Sequence, residues 1–207
     1  MDSEHKEVTE LPGNRGVAGS AAGLTLLELL VALCIMALLL GVSLPDLRRT
    51  LAQKRADITM NRLAQAIQLA RNAAALNNSL VTLCGSTDGE ACDGNWRHAA
   101  LIFLDRDGDR KVDAATSPDS NIVRWLMFPE IAGTLRWRAF GNRSYLQITP
   151  QGFTLYQNGN FTYCPANGDP SAARQLIVNR TARVRHARDS NGDGLREDSR
   201  GRPIRCP

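Results

Sequence analysis

Three features of the 207-residue chain point to an α+β protein, one long N-terminal helix followed by an all-β head. The first is an apolar run from Leu24 to Leu44 interrupted by a single charge, Glu28. The second is a helical repeat of apolar residues among polar ones that carries on to Leu76. The third is the change, after Ser79, to short apolar runs bounded by turn residues. Composition agrees: 43% hydrophobic and 22% charged residues exclude a disordered chain, a collagen and a polytopic membrane protein. Aromatics at 5% argue against a broad stacking platform.

The run 24–44 has 21 residues, which as an α-helix spans roughly 31 Å, about one bilayer core. A removable secretory signal has a shorter apolar stretch followed by small residues. Here Ala21-Ala22-Gly23 comes first, so a transmembrane helix is expected. Within it Glu28 stands out. A carboxylate in hydrocarbon costs on the order of 2.5–3.5 kcal/mol and calls for a partner. An amino terminus created by cutting after Gly23 would supply one a helical turn away.

Leu47, Leu51, Ile58, Leu63, Ile67, Leu69 and Leu76 continue the helical spacing, and alanines at 64, 66, 70 and 73–75 favour it. The expected helix runs from Leu24 to about Leu76 and ends at Asn77-Asn78-Ser79. Expected strands follow at 80–84, 99–105, 122–128, 134–140, 144–148, 152–156, 160–164, 175–179 and 183–188. Asn158-Gly159 reads as a hairpin turn between two of them. In Leu135-Arg136-Trp137-Arg138-Ala139 the alternation sends both arginines outward. The organisation is thus 1–23 leader, 24–78 helix and 79–207 head.

Cys34 falls in the apolar run, leaving Cys84, Cys92, Cys164 and Cys206. No pair has the two-to-four-residue spacing of a zinc site, and an exported head favours disulfides. Of three connectivities, Cys84–Cys92 with Cys164–Cys206 is the expected one. Loop closure gives about 2.5 kcal/mol for the first and about 4 kcal/mol for the second, which would pin the C-terminal tail.

Two acidic loops invite comparison with a calcium-binding loop. Asp105-Arg106-Asp107-Gly108-Asp109 has Arg110 in place of the turn glycine and Thr116 in place of the closing glutamate. Asp189-Ser190-Asn191-Gly192-Asp193-Gly194 has the glycine but Arg200 at the closing position. Both are expected to be solvated turns without metal. The histidines, His5, His98 and His186, have no nucleophile or carboxylate beside them in a catalytic pattern, so no enzyme and no cofactor is expected.

From Arg174 to Pro207 nine arginines face four acids, and no lysine appears. The planar guanidinium fork suits phosphate, whereas a merely solubilising surface would use lysine freely. Arg183 and Arg185 stand two apart on an expected strand, on one face and about 6.8 Å from each other.

The segment Gly23-Leu24-Thr25-Leu26-Leu27-Glu28-Leu29-Leu30-Val31 resembles the signal of type IV prepilins and type II secretion pseudopilins. The resemblance implies a peptidase that cuts between Gly23 and Leu24 and methylates Leu24. It implies pairing of Glu28 with the terminal amine of a neighbouring subunit, and a bend of the helix at Pro45. Lys6 and Arg15 against Asp2, Glu4, Glu7 and Glu10, with Arg48, Arg49, Lys54 and Arg55 beyond the span, would place the C-terminus in the cytoplasm. The prepilin signal overrides this and places the head in the periplasm, the protein being single-pass in the inner membrane and incorporated into the pilus.

The head is similar to that of the minor-pilin group of FimT and FimU and the pseudopilin GspH, through Val81-Thr82-Leu83-Cys84-Gly85, Cys92, Trp96, Ala100–Asp105, Leu176-Ile177-Val178 and Ala182–Arg185. The resemblance implies a long helix against two antiparallel sheets. It implies other minor and major pilins, the prepilin peptidase and the inner-membrane assembly platform as partners. In FimT-like proteins of transformable bacteria a Gly-Arg-x-Arg motif here is implicated in non-specific binding of double-stranded DNA. The chain matches it at Arg183 and Arg185 with Ala182 for the glycine, and Arg180, Arg188, Arg202 and Arg205 complete the expected DNA-binding set. The type II secretion alternative is structural and has no nucleic-acid role.

Overall fold

A computed structural model describes Gly23 and residues 25–113, 121–130 and 132–206, with backbone alone for 40–46, 48 and 49. The leader, 1–22, and Leu24 lie outside the described residues.

Helix α1 spans Leu26–Leu76. Thr25 caps it, its hydroxyl accepting the Glu28 N–H at 3.2 Å. Helix geometry continues through position 45, whose side chain is not among those described. At the other end Asn78 turns left-handed (φ 46°), and the Ser79 N–H returns to the Ala74 carbonyl at 3.2 Å. Asn77 helps to close the same turn, its Nδ2 donating to the Ala73 carbonyl at 2.9 Å. Side chains described between Leu26 and Leu39 are all exposed. Among the described residues no helix is long and apolar enough to cross a membrane. Leu24 and the side chains of 40–44, part of the expected span, lie outside them.

Contacts divide the chain into two compact units, 1–44 and 45–207. In the second, α1 buries Ala56, Met60, Leu63, Ile67, Ala70 and Ala74, spaced four and three apart. Only part of the apolar series that continues the helical spacing lies on this stripe. Leu63 and Ile67 belong to it, but Leu47, Leu51, Ile58 and Leu76 are exposed and Leu69 is only partly covered. Alanine supplies much of the buried stripe because a methyl lets the helix backbone lie close to the sheets.

Two four-stranded antiparallel sheets meet that stripe. The strands are β1 (Val81–Gly85), β2 (Ala99–Leu104), β3 (Ile122–Met127), β4 (Gly133–Ala139), β5 (Tyr145–Ile148), β6 (Gly159–Pro165), β7 (Arg174–Val178) and β8 (Val184–His186). One sheet runs β3-β2-β1-β5, the other β4-β6-β7-β8. Val81, Leu83, Ile102, Leu146 and Ile148 of the first sheet, and Leu135, Phe161, Leu176 and Val178 of the second, join the helix stripe in one core. Cys84, Leu101 and Phe103 are buried on the opposite face of the first sheet, covered by Val112, Ile122 and Tyr145. The two central strands β1 and β2 are therefore buried on both faces, which is why β2 reads as an unbroken apolar run.

Eight expected strands form. The ninth, 152–156, does not: Gly152 and Tyr156 have positive φ (80° and 63°), and Thr154 makes one isolated bridge to Ile148. The Asn158-Gly159 hairpin is corrected with it. Gly159 pairs with Ala139 of β4 and Val178 of β7, and a Cβ there would meet the Arg138 carbonyl oxygen at 2.0 Å. The glycine marks a close backbone approach rather than a turn. The last strand is also shorter than expected. Asn179 Oδ1 holds the preceding turn by accepting the N–H groups of Thr181 (3.0 Å) and Arg183 (2.9 Å). Beyond it the Arg188 carbonyl is taken by the Glu197 N–H.

Disulfides join Cys84 to Cys92 and Cys164 to Cys206. Trp96, Trp137 and Phe161 form a ring cluster, Trp137 stacking on Phe161 at 4.3 Å and Trp96 meeting it edge-on at 4.7 Å.

Candidate functional site

Alternation along β4 buries Leu135, half-buries Trp137 and leaves Arg136 and Arg138 exposed. Register extends that face across the whole sheet. Arg138 pairs with Asn160, Asn160 with Ile177, and Ile177 with Arg185 of β8. Next to this row Arg136 pairs with Thr162 and Thr162 with Gln175, whose Nε2 donates to the Thr162 hydroxyl at 3.0 Å. Arginines therefore stand on both edge strands of one sheet face, three strand spacings or about 14 Å apart.

The C-terminal tail closes over this face. Ile204 is buried against Ala173 and Ala187, the Ile204 N–H donates to the Arg196 carbonyl at 2.9 Å, and Cys206 is bonded to Cys164. Glu197 and Pro203 bridge to form a short loop. The Asp198 carboxylate fastens its turn, accepting N–H groups of Arg200 (2.7 Å) and Arg202 (3.1 Å) and pairing with the Arg202 guanidinium at 3.2 Å. Desolvation pushes the Asp198 pKa up, but these bonds and the Arg202 charge together outweigh it and hold the carboxyl below its ordinary pKa. Sheet and tail enclose a groove of about 580 Å3 into which Arg136, Arg138, Arg200, Arg202 and Arg205 project, with Asp198 the acid among the residues that line it. Gln175 Oε1, buried in the groove wall, has no donor among the described residues. Such a groove is suited to a polyanion with regularly spaced charges.

A family model described as "Type II transport protein GspH" matches residues 59–182, well over half of the chain. The chain belongs to the GspH family. Two crystal forms of the type IV minor pilin FimU of Pseudomonas aeruginosa (strain PAO1) are similar to this GspH-family chain at 18% identity and a TM-score of 0.46. They cover 63% and 67% of this chain and 90% and 89% of theirs. No curated protein matches.

Within the GspH-family head the expected arginines separate. Arg202 and Arg205 line the groove, and Arg185 shares its sheet face on the far edge. Arg183 precedes β8 in the turn, exposed like Arg185. Arg180 lies over the Tyr156 ring at 5.4 Å, and Arg188 is exposed where the tail begins. Ala182 is buried and left-handed (φ 48°), so the turn does require the conformation that glycine favours. Arg174, counted among the basic residues of the tail, is structural: Asp57 and the carbonyls of Ser171 and Ala173 receive its donors.

Sequence reasoning placed Arg136 and Arg138 on the outer face but did not join them to the site, and it passed over Arg200. The available signal was Arg-x-Arg on a strand. What it lacked was the tail that folds over them. Glu28 is exposed in the first turn of α1, Gly23 is exposed ahead of the helix, and Leu24 is outside the described residues.

Among the described residues two acidic groups could hold a cation, Asp105-Asp107-Asp109 and Asp189-Asp193-Glu197. In the first, Asp105 is buried with its oxygens taken: Oδ2 accepts from Thr82 and Gln147, and Oδ1 from the Arg110 N–H. It fastens its loop to β1 and β5. His186 is half-buried on β8. Burial, aided by Arg196 and Arg188 and opposed by Asp57, lowers its pKa below the ordinary value.

Proposed function

We propose that this GspH-family protein is a minor pilin of the type IV pilus that binds the backbone of double-stranded DNA through the arginine groove. The observation that carries the DNA reading is the convergence of Arg136, Arg138, Arg200, Arg202 and Arg205 on one groove opposite a single lining acid. Nothing in the groove resembles a base-reading helix, so the contacts are to phosphates and carry no sequence preference. Arg185 and Arg183 extend the track across the sheet.

In this reading the prepilin peptidase cuts after Gly23 and methylates Leu24, and 24–44 spans the inner membrane with the head in the periplasm. Glu28 sets register with a neighbouring pilin, and Pro45 allows the helix to bend. The exposed stripe of Leu47, Leu51 and Ile58 meets sister helices at the assembly platform and in the fibre, where the protein primes assembly near the tip. Replacing Glu28 by Ala should leave the protein processed and membrane-bound but absent from sheared pili; normal incorporation would remove the pairing role.

The DNA reading is tested with the full-length protein in detergent, by duplex affinity across ionic strength. Arg136→Gln with Arg138→Gln should reduce the salt slope by about 1.8 if both meet phosphates. An unchanged slope, or no binding at low salt by the unaltered protein, would end it. The name of the matching family favours a second reading, a structural pseudopilin of type II secretion. A deletion strain with intact pili and impaired secretion would decide for that reading.

A further inference from the structure

The loop that joins β8 to the arginine tail contains Asp189, Asp193 and Glu197, each with a carboxylate oxygen within 4.8 Å of the other two. Asp189 and Asp193 are exposed, but Glu197 is only 6% exposed. Its Oε2 accepts the Ser190 N–H at 2.8 Å and the Ser190 hydroxyl at 2.9 Å. Its Oε1 is buried and has no donor among the described residues. A buried carboxylate oxygen without a donor, beside two further carboxylates, is destabilised both by lost hydration and by like-charge repulsion. Arg196, the guanidinium that Asp189 feels electrostatically, has Nη2 3.8 Å from Asp57.

We propose that Asp189, Asp193 and Glu197 bind a single calcium ion. The donors are all oxygen, which favours a hard cation over zinc or copper, and an irregular loop of mixed oxygens suits calcium better than the strict octahedron of magnesium. The loop also explains why the sequence template failed. Asp189, Asn191, Asp193 and Gly194 follow the calcium-loop order, but Arg200 stands where the closing glutamate belongs. In the folded chain Glu197, three residues earlier, turns inward and supplies that carboxylate. Asp189 keeps lone pairs free for an ion although its oxygens accept the N–H groups of Gly192 (2.7 Å) and Gly194 (2.8 Å). The Asp105 loop offers the internal contrast: both oxygens of its buried carboxylate already accept protein donors, so no orphaned oxygen is left there, and no ion is assigned.

An ion at this position would fasten Asp189, at the exit of β8, to Glu197, at the base of the loop that carries Arg200 and Arg202. The site stands whether or not the groove binds DNA.

The test uses the full-length protein in detergent, freed of metal with a chelator and titrated calorimetrically with calcium chloride, with magnesium chloride in parallel. One saturable calcium site is expected, with a dissociation constant at or below the millimolar range of extracellular sites and at least about tenfold weaker binding of magnesium. Glu197→Gln and Asp193→Asn should each weaken calcium binding by about tenfold or more, and Asp107→Asn should leave it unchanged. Calcium should raise the melting temperature of the unaltered protein and of Asp107→Asn, but not that of Glu197→Gln. If Glu197→Gln does not fold, Asp193→Asn, exposed and outside the core, decides alone. No saturable binding up to about 10 mM calcium, full binding in Asp193→Asn, or loss of binding in Asp107→Asn would each overturn the assignment.

Discussion

Arg174 on β7 donates from Nε to Oδ1 of Asp57 on α1 at 2.6 Å, joining helix and sheet across 117 residues of chain. The two partners are unequally buried, with side-chain exposures of 6% and 35%. Loss of Asp57 leaves a buried guanidinium without its counter-charge. Loss of Arg174 leaves a carboxylate that water can reach. Asp57→Ala should therefore destabilise the protein by about 2–3 kcal/mol and Arg174→Met by less, as read from urea unfolding. Equal losses would show that the pair is not asymmetric in the way its burial implies.

The bond between Cys164 and Cys206 closes a 42-residue separation and holds the groove's outer wall. Cys206→Ser should lower stability by up to about 4 kcal/mol and weaken duplex binding, while Cys84–Cys92 stays formed. Chemical unfolding and binding measured on the same preparation check this. Unaltered DNA affinity would mean that the tail does not shape the groove.

His186 carries a pH dependence. Its folded pKa lies below the model-peptide value of 6.5, chiefly because it is buried, so between the two values the unfolded chain binds more protons. Stability should fall as pH drops below about 6.5 and level off beneath the folded pKa. His186→Leu should flatten that part of the profile. Asp189 and Asp198 act in a lower window: their folded pKa values lie below 3.8, and the stability they confer is present above 3.8 and lost as pH falls through the folded values.

Ala182 sets two effects against each other. Glycine would relieve a left-handed alanine, worth about 1–2 kcal/mol, but would remove a buried methyl and loosen the unfolded chain. Ala182→Gly should change stability by less than about 1 kcal/mol in thermal unfolding. A loss well beyond that would show that the methyl packs more tightly than its turn is strained.

Several of these features could be read from the residues, and others could not. Helix continuity, its end at Asn78 and the outward arginines of β4 follow from local periodicity, which a single element determines. The buried stripe on α1 was not legible in the same way, because close approach to two sheets selects alanine, whose low hydropathy marks no face. Asn158-Gly159 carries hairpin chemistry, yet long-range pairing with β4 and β7 overrides it. Glu197 was missed as the closing carboxylate because spacing templates assume a fixed loop length, and only the fold brings it beside Asp189.

The second sheet ends in β8, three residues long, with Arg185 at its centre and the chain diverted immediately afterwards into the tail. Such an edge offers few free backbone groups and a permanent charge to any strand that approaches it. Wherever many heads crowd side by side, this brevity is a safeguard against amyloid-like zippering, so that neighbours meet through their surfaces and not by merging their sheets.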